Sequence, residues 1–178
     1  HLSIRRQRQM CIRDRMEAYK GQISHATRLQ VAETVKLQLS EPGKFPVPFL
    51  SATIDDCMAK GLDITEGGAR YNATSPCITG IACVADSLAA VKKLVFEERR
   101  VSMGELVEAL RSNFEGREEL RQMLINRAPK FGNDDDYVDL LAREVAGYYC
   151  HELDKYRDAR GGPFRQLIFG VHTSPVYG

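Results

Sequence analysis

The chain has 178 residues, of which 43% are hydrophobic and 28% charged, with no tryptophan. That balance is ordinary for a globular protein and excludes low-complexity, collagen-like and highly charged disordered chains. The net charge of +1 gives no electrostatic reason to expect nucleic acid or an anionic membrane as partner, and no apolar run approaches the ~20 residues of a membrane-spanning helix.

The charge is unevenly spread. Residues 1–15, HLSIRRQRQMCIRDR, carry +4, and residues 16–178 carry −3. The block has no apolar periodicity. It reads either as a basic arm for an acidic partner or as non-native or disordered sequence to be set aside from fold reasoning. The abrupt change of composition at Met16 favours the second reading and leaves 16–178 as the folded part.

From there the pattern is helices separated by loops. A weak helix is expected over Gln22–Leu39, with Ile23, Ala26, Val31 and Val35 as its apolar stripe. Glu41-Pro42-Gly43 stops it. Lys44-Phe45-Pro46-Val47-Pro48 must be extended, because each proline fixes its own φ and biases the residue before it away from helix. A short helix over Ser51–Lys60 should end at Gly61, followed by a turn-rich loop, Asp63–Asn72, around Gly67-Gly68.

The strongest helical period follows. Ile81, Val84, Ala85, Leu88, Val91 and Val95 recur at three- and four-residue spacing. Ser102 and Glu105 form a capping box for the next helix, and another short helix is expected over Glu118–Asn126. Asn133 is expected to cap the last helix, with Asp134, Asp135 and Asp136 at its positive dipole end. Its inner stripe reads Val138, Leu141, Val145, Tyr148 or Tyr149, and Leu153, and Gly161-Gly162-Pro163 should end it. Phe164–His172 reads as a strand around Leu167-Ile168-Phe169. A single strand has no partner for its backbone groups, so its sheet neighbours are expected outside this chain.

The five cysteines, Cys11, Cys57, Cys77, Cys83 and Cys150, show no C-x-x-C spacing, so a zinc site has no support. Free thiols in a reducing cytosol are expected.

Several stretches together resemble one family. They are PFLSATIDDC (48–57), DITEGGARYN (63–72), GIACVADSLAAVKKLVF (80–96), NFEG (113–116), NRAPKFGNDDDYVD (126–139) and TSPVYG (173–178). The chain from about Phe45 to Gly178 is similar to the glycyl radical enzymes, the group of pyruvate formate-lyase and the cobalamin-independent glycerol and diol dehydratases. The resemblance implies an α/β class: a mostly helical fragment, truncated at both ends, of a ten-stranded α/β barrel. It implies thiyl-radical cleavage of a C–C, C–O or C–N bond in a small metabolite, of the dehydratase or formate C-acetyltransferase type, in the cytoplasm.

In that family a glycyl radical on one loop takes hydrogen from a cysteine on another, and the thiyl radical then takes hydrogen from the substrate. The resemblance places both loops outside this chain, so no catalytic residue is expected within it, and the fragment alone is expected to be inactive. No bound cofactor or metal is expected. The glycyl radical of the whole enzyme would be installed by an iron–sulfur, S-adenosylmethionine-dependent activase. Partners are then the substrate and the activase, with room for a homodimer of the whole enzyme, and no nucleic acid or membrane. A non-catalytic helical interaction module derived from the same family is the alternative.

Two segments look like the radical loops. Arg143-Glu144-Val145-Ala146-Gly147-Tyr148 approximates the glycyl loop and Cys150-His151-Glu152 the thiyl loop, but both fall in one expected helix, where residues three apart cannot meet head-on. A small residue and a thiol on a helix face explain them better. The segments that could face a substrate pocket are instead the loop bearing Arg70, Tyr71 and Asn72 and the strand end bearing His172, Thr173 and Ser174. Both offer polar groups where a rigid scaffold would present them.

Overall fold

In the computed structural model the described backbone covers residues 2–169, with side chains from residue 14 onward except Arg15. The chain divides into two compact units. One comprises residues 1–21 and 80–147, the other 22–79 and 148–178.

Helix α1 runs from Leu2 to Ser40, beginning inside the basic block rather than at Gln22. Arg, Gln, Met and Leu are all good helix formers, and Gly21 is the only helix breaker along its length. Packing of the side chains in residues 1–13 lies outside the described residues.

In the second unit α1 buries Thr27 and Val31 and half-buries Ile23 and Val35, whereas Ala26 faces solvent. Val31 packs with Tyr149, Leu153 and Phe164, and Ile23, Val35, Ile78 and Tyr156 close around them. The expected helix over Ser51–Lys60 is broken into α2 (Pro48–Thr53) and α3 (Cys57–Lys60). The break falls at Asp56, whose φ of 76° is left-handed. Gly61, at φ 64°, caps α3 as its position suggests.

The strand is not alone. β1 (Cys77–Ile78) pairs in parallel with β2 (Leu167–Ile168), Cys77 opposite Leu167 and Ile78 opposite Ile168. The ladder starts further back, where the Thr74 amide donates to Pro163 O (3.1 Å) and the Arg165 amide to Thr74 O (2.9 Å). Parallel strands need a long crossover, and four helices lie between these two in sequence. Leu167, Ile168 and Phe169 remain exposed. Residues 170–172 of the expected strand lie outside the described residues.

In the first unit α4 (Ile81–Ala90) leads without a break into a π-helical stretch, Val91–Glu97. The Glu98 amide there reaches back five residues to Lys93 O. The wider turn rotates the side chains away from the 3.6-residue period, so Leu94 joins Ala85, Ala89 and Val95 in the interior while Val91 is only half-buried. α5 (Met103–Arg111) has the capping box at Ser102 and Glu105. α6 spans Glu118–Arg127 and α7 spans Asp136–Leu153.

Asn133 does not cap α7; its side-chain amide donates to Lys130 O. The chain turns at Asp134 (φ 55°), which brings the Asp135 carboxylate onto the Tyr137 amide (2.9 Å). α7 buries Val138, Ala142, Val145, Tyr149 and Leu153. It stops at Leu153, before the glycine pair expected to end it.

Candidate functional site

Asp63 organises the 63–72 loop of the second unit. One carboxylate oxygen accepts the Thr65 amide (2.9 Å) and hydroxyl (2.8 Å), and the other accepts the Ser51 hydroxyl (2.8 Å) and the Val47 amide (3.0 Å). Glu66 reaches back to the Asp63 amide, completing a capping box around the single 3₁₀ turn Ile64–Glu66. The Thr65 amide foremost, with the other donors, holds the Asp63 carboxyl at about 2.

The loop then folds on itself. A methyl at Gly68 would overlap the Leu62 carbonyl oxygen. The Lys60 ammonium donates to Gly68 O (3.1 Å) and Ala69 O (3.2 Å). The Asn72 side-chain amide donates to Gly67 O (3.1 Å) and Ala69 O (2.9 Å). Arg70 closes a fork on Asp56, with Nη2 2.7 Å and Nε 3.2 Å from Oδ1, and lies 3.7 Å from Asp55. That fork pushes the Asp56 carboxyl below its usual value. Tyr71 is different: its side chain is 87% exposed. His172, Thr173 and Ser174 lie outside the described residues.

A second polar centre lies behind this loop, built on Asp158, Thr74 and Arg160, none of them a candidate in the sequence. Asp158 is buried. Its Oδ1 accepts the amides of Gly162 (2.7 Å) and Arg160 (3.0 Å), and its Oδ2 accepts the Thr74 hydroxyl (2.7 Å) and Arg160 Nη2 (3.4 Å). Burial raises the carboxyl's pKa, but the hydrogen bonds led by Thr74 outweigh it and the net direction is down. The signal in the sequence was Asp158-Ala159-Arg160-Gly161-Gly162, an aspartate ahead of a glycine pair, which is turn chemistry. Its partner Thr74 lies 84 residues away, which no local pattern announces.

The two look-alike segments are both helical, in α7. A methyl at Gly147 would meet nothing within 4 Å, and burial pushes the Cys150 thiol up rather than toward the thiolate. Glu152 is buried, with its carboxylate held down chiefly by the Lys155 ammonium and further by Ser24 and Tyr148. In the first unit, an apolar cavity of about 240 Å³ is lined by Met16, Leu88, Phe96, Leu106 and neighbours, with Lys92 its one charged side chain. Lys92 lies 3.9 Å over the Tyr137 ring, whose hydroxyl donates to Glu97 (2.8 Å). Among the described residues no His, Cys, Asp or Glu cluster could hold a metal ion, and no helix is long and apolar enough to cross a membrane.

The chain is mostly helical, and its two short strands pair in parallel across a long crossover, with braced loops beside their N-terminal ends. The chain belongs to the pyruvate formate lyase-like family of glycyl radical enzymes, which it matches over residues 11–178. It is 41% identical over 130 residues to (2S)-3-sulfopropanediol dehydratase of Klebsiella oxytoca, covering 72% of this chain and 16% of that protein. It is 42% identical over 136 residues to isethionate sulfite-lyase of Nitratidesulfovibrio vulgaris, covering 70% and 16%. Its structure is similar to the glycerol-bound B12-independent glycerol dehydratase from Clostridium butyricum, with TM-score 0.81 and 41% identity over 87% of this chain and 20% of that one. The chain thus spans about a fifth or less of the length of these relatives.

Proposed function

We propose that these residues are part of the barrel domain of a glycyl radical dehydratase or lyase that cleaves a C–O, C–N, C–C or C–S bond in a small metabolite. The observation carrying this reading is the family match over residues 11–178, together with sequence identity above 40% to both dehydratases and a sulfite-lyase. The exposed row Leu167, Ile168 and Phe169 supports a place in a larger sheet, because an apolar strand open to water invites a further layer or strand. The thiyl cysteine and the radical glycine lie elsewhere in the whole polypeptide. There the glycyl radical takes a hydrogen atom from the cysteine and the thiyl takes one from the substrate. In this chain Tyr71, on the loop that Arg70 and Asn72 brace, and the strand end bearing His172, Thr173 and Ser174 contribute to the substrate pocket.

The test is anaerobic activation of the whole polypeptide with an iron–sulfur, S-adenosylmethionine-dependent activase. Formation of the glycyl radical is followed by electron paramagnetic resonance. A panel of glycerol, 1,2-propanediol, hydroxyproline, sulfopropanediol and isethionate is then screened for turnover. A radical signal with consumption of one panel member is the expected result. No radical with an activase that works on a related enzyme overturns the reading. The 178-residue chain by itself turns over none of them.

A further inference from the structure

The 63–72 loop and the 158–162 turn are locked together through one buried carboxylate. Every donor around Asp158 belongs to a backbone or side chain that fixes a different part of the surroundings. The Gly162 and Arg160 amides shape the turn, and the Asp158 amide closes it on Gly162 O (2.9 Å). The Thr74 hydroxyl, which donates to Asp158, accepts in turn from Gln38 Nε2 (2.7 Å) and Arg160 Nη2 (3.3 Å). Thr74 is also the first residue of the strand ladder. Arg160 lays its aliphatic stem along Gly67 and reaches Ile64 O with Nη1 (3.5 Å). Gly162 abuts the carbonyl of Asn72 with no room for a side chain. Four donors converge on two oxygens, an arrangement that only an acceptor-only group satisfies.

We propose that Asp158 is a positioning residue, which through Thr74 and Arg160 fixes the 63–72 loop and so sets where the exposed Tyr71 phenol stands. The consequence is specific. Arg70 is committed to Asp56 and Asn72 to the loop carbonyls, whereas Tyr71 has no hydrogen-bond partner among the described residues and depends on the backbone beneath it for its position. The role in turnover rests on the reading that Tyr71 lines the pocket of the whole enzyme; the role in holding the loop does not.

The experiment compares Asp158→Asn, Thr74→Val, Thr74→Ser and Tyr71→Phe in the whole, activated polypeptide. Asparagine keeps the size but turns one acceptor into a donor facing donors. Valine keeps the strand preference but removes the hydroxyl, and serine retains it. Asp158→Asn and Thr74→Val are expected to form the glycyl radical at parental yield. Amide exchange over residues 66–72 should quicken at least tenfold and kcat/KM fall about tenfold, with both effects reversed in Thr74→Ser. Unchanged loop exchange in Asp158→Asn, or a Thr74→Ser variant as impaired as Thr74→Val, overturns the proposal. Faster loop exchange with parental turnover in these variants and in Tyr71→Phe upholds the positioning role and overturns the pocket assignment instead. Should Asp158→Asn fail to fold, the serine–valine pair decides.

Discussion

The α-carbon of Gly162 packs against the carbonyl oxygen of Asn72, so that any side chain at residue 162 would overlap a backbone atom. Both residues are already tied down, Gly162 by its backbone amide to Asp158 and Asn72 by its side-chain amide to the loop carbonyls. Gly162→Ala is therefore expected to destabilise the second unit by about 3 kcal/mol or more, the upper range for overpacking. Gly161 makes a useful control. Its φ is 79° but a methyl there would meet nothing within 4 Å, so Gly161→Ala meets only left-handed strain of about 1–2 kcal/mol. Urea unfolding of both variants checks the order; equal losses would mean that the close approach does not govern the site.

Asp63 and Asp158 are among the carboxylates that make stability pH-dependent in the same sense. Asp63 is held at about 2 and Asp158 is also shifted down, against an unfolded value of ~3.9. A depressed carboxyl contributes stability that is fully present above the unfolded value and is lost as pH falls through the folded one. The thermal midpoint should thus be flat between about pH 5 and pH 8 and drop between about pH 4 and pH 2. In Asp63→Asn it should be lower at neutral pH and fall less steeply in that window. A parallel pair of curves would show that Asp63 does not titrate with unfolding.

Local chemistry was legible in the sequence and distant chemistry was not. Ser102 with Glu105 and the C-terminal Gly61 each act within one turn of their own helix, and the sequence contains everything they need. The stripe along α7 could be read because 3.6-residue periodicity is a local property. β1 could not: it is two residues long, and its partner Leu167 follows only after a crossover of helices. The π-helical stretch was hidden for another reason. Its apolar residues fit an α period equally well, and the change shows in backbone bonds that reach back five residues, such as Glu98 to Lys93. The family resemblance was carried by helical and loop stretches that leave out residues 140–172, which is why it pointed to the parent enzyme more clearly than to this chain's own polar centre at Asp158.

Large apolar side chains on the second unit face solvent. Phe49 is 86% exposed, Met58 76% and Phe45 70%, all within one stretch of chain. Exposed apolar surface of this kind promotes association. The 178-residue chain alone is expected to bind a hydrophobic dye and to show light scattering that rises with concentration. Phe49→Ser combined with Met58→Ser should reduce both. A monodisperse, monomeric chain with one sharp thermal transition would count against a place within a larger domain.

Arg70 separates bracing from substrate contact most directly. Its guanidinium forks onto Asp56, a residue held at a left-handed φ of 76°, and its own amide donates to Asp55 O (3.1 Å). Lysine keeps the charge but cannot form the fork, so a bracing role predicts that Arg70→Lys and Arg70→Ala behave alike. Both would loosen the α2–α3 break and reduce soluble yield and glycyl radical together in the whole enzyme. A pocket role predicts a different split: radical at parental yield, turnover lost in Arg70→Ala, and partial turnover in Arg70→Lys because a cation remains. The Asp56 fork favours bracing for the guanidinium and leaves Tyr71 as the loop's free side chain. The expected outcome is therefore joint loss of solubility and radical in both Arg70 variants, with Tyr71→Phe retaining the radical and losing turnover.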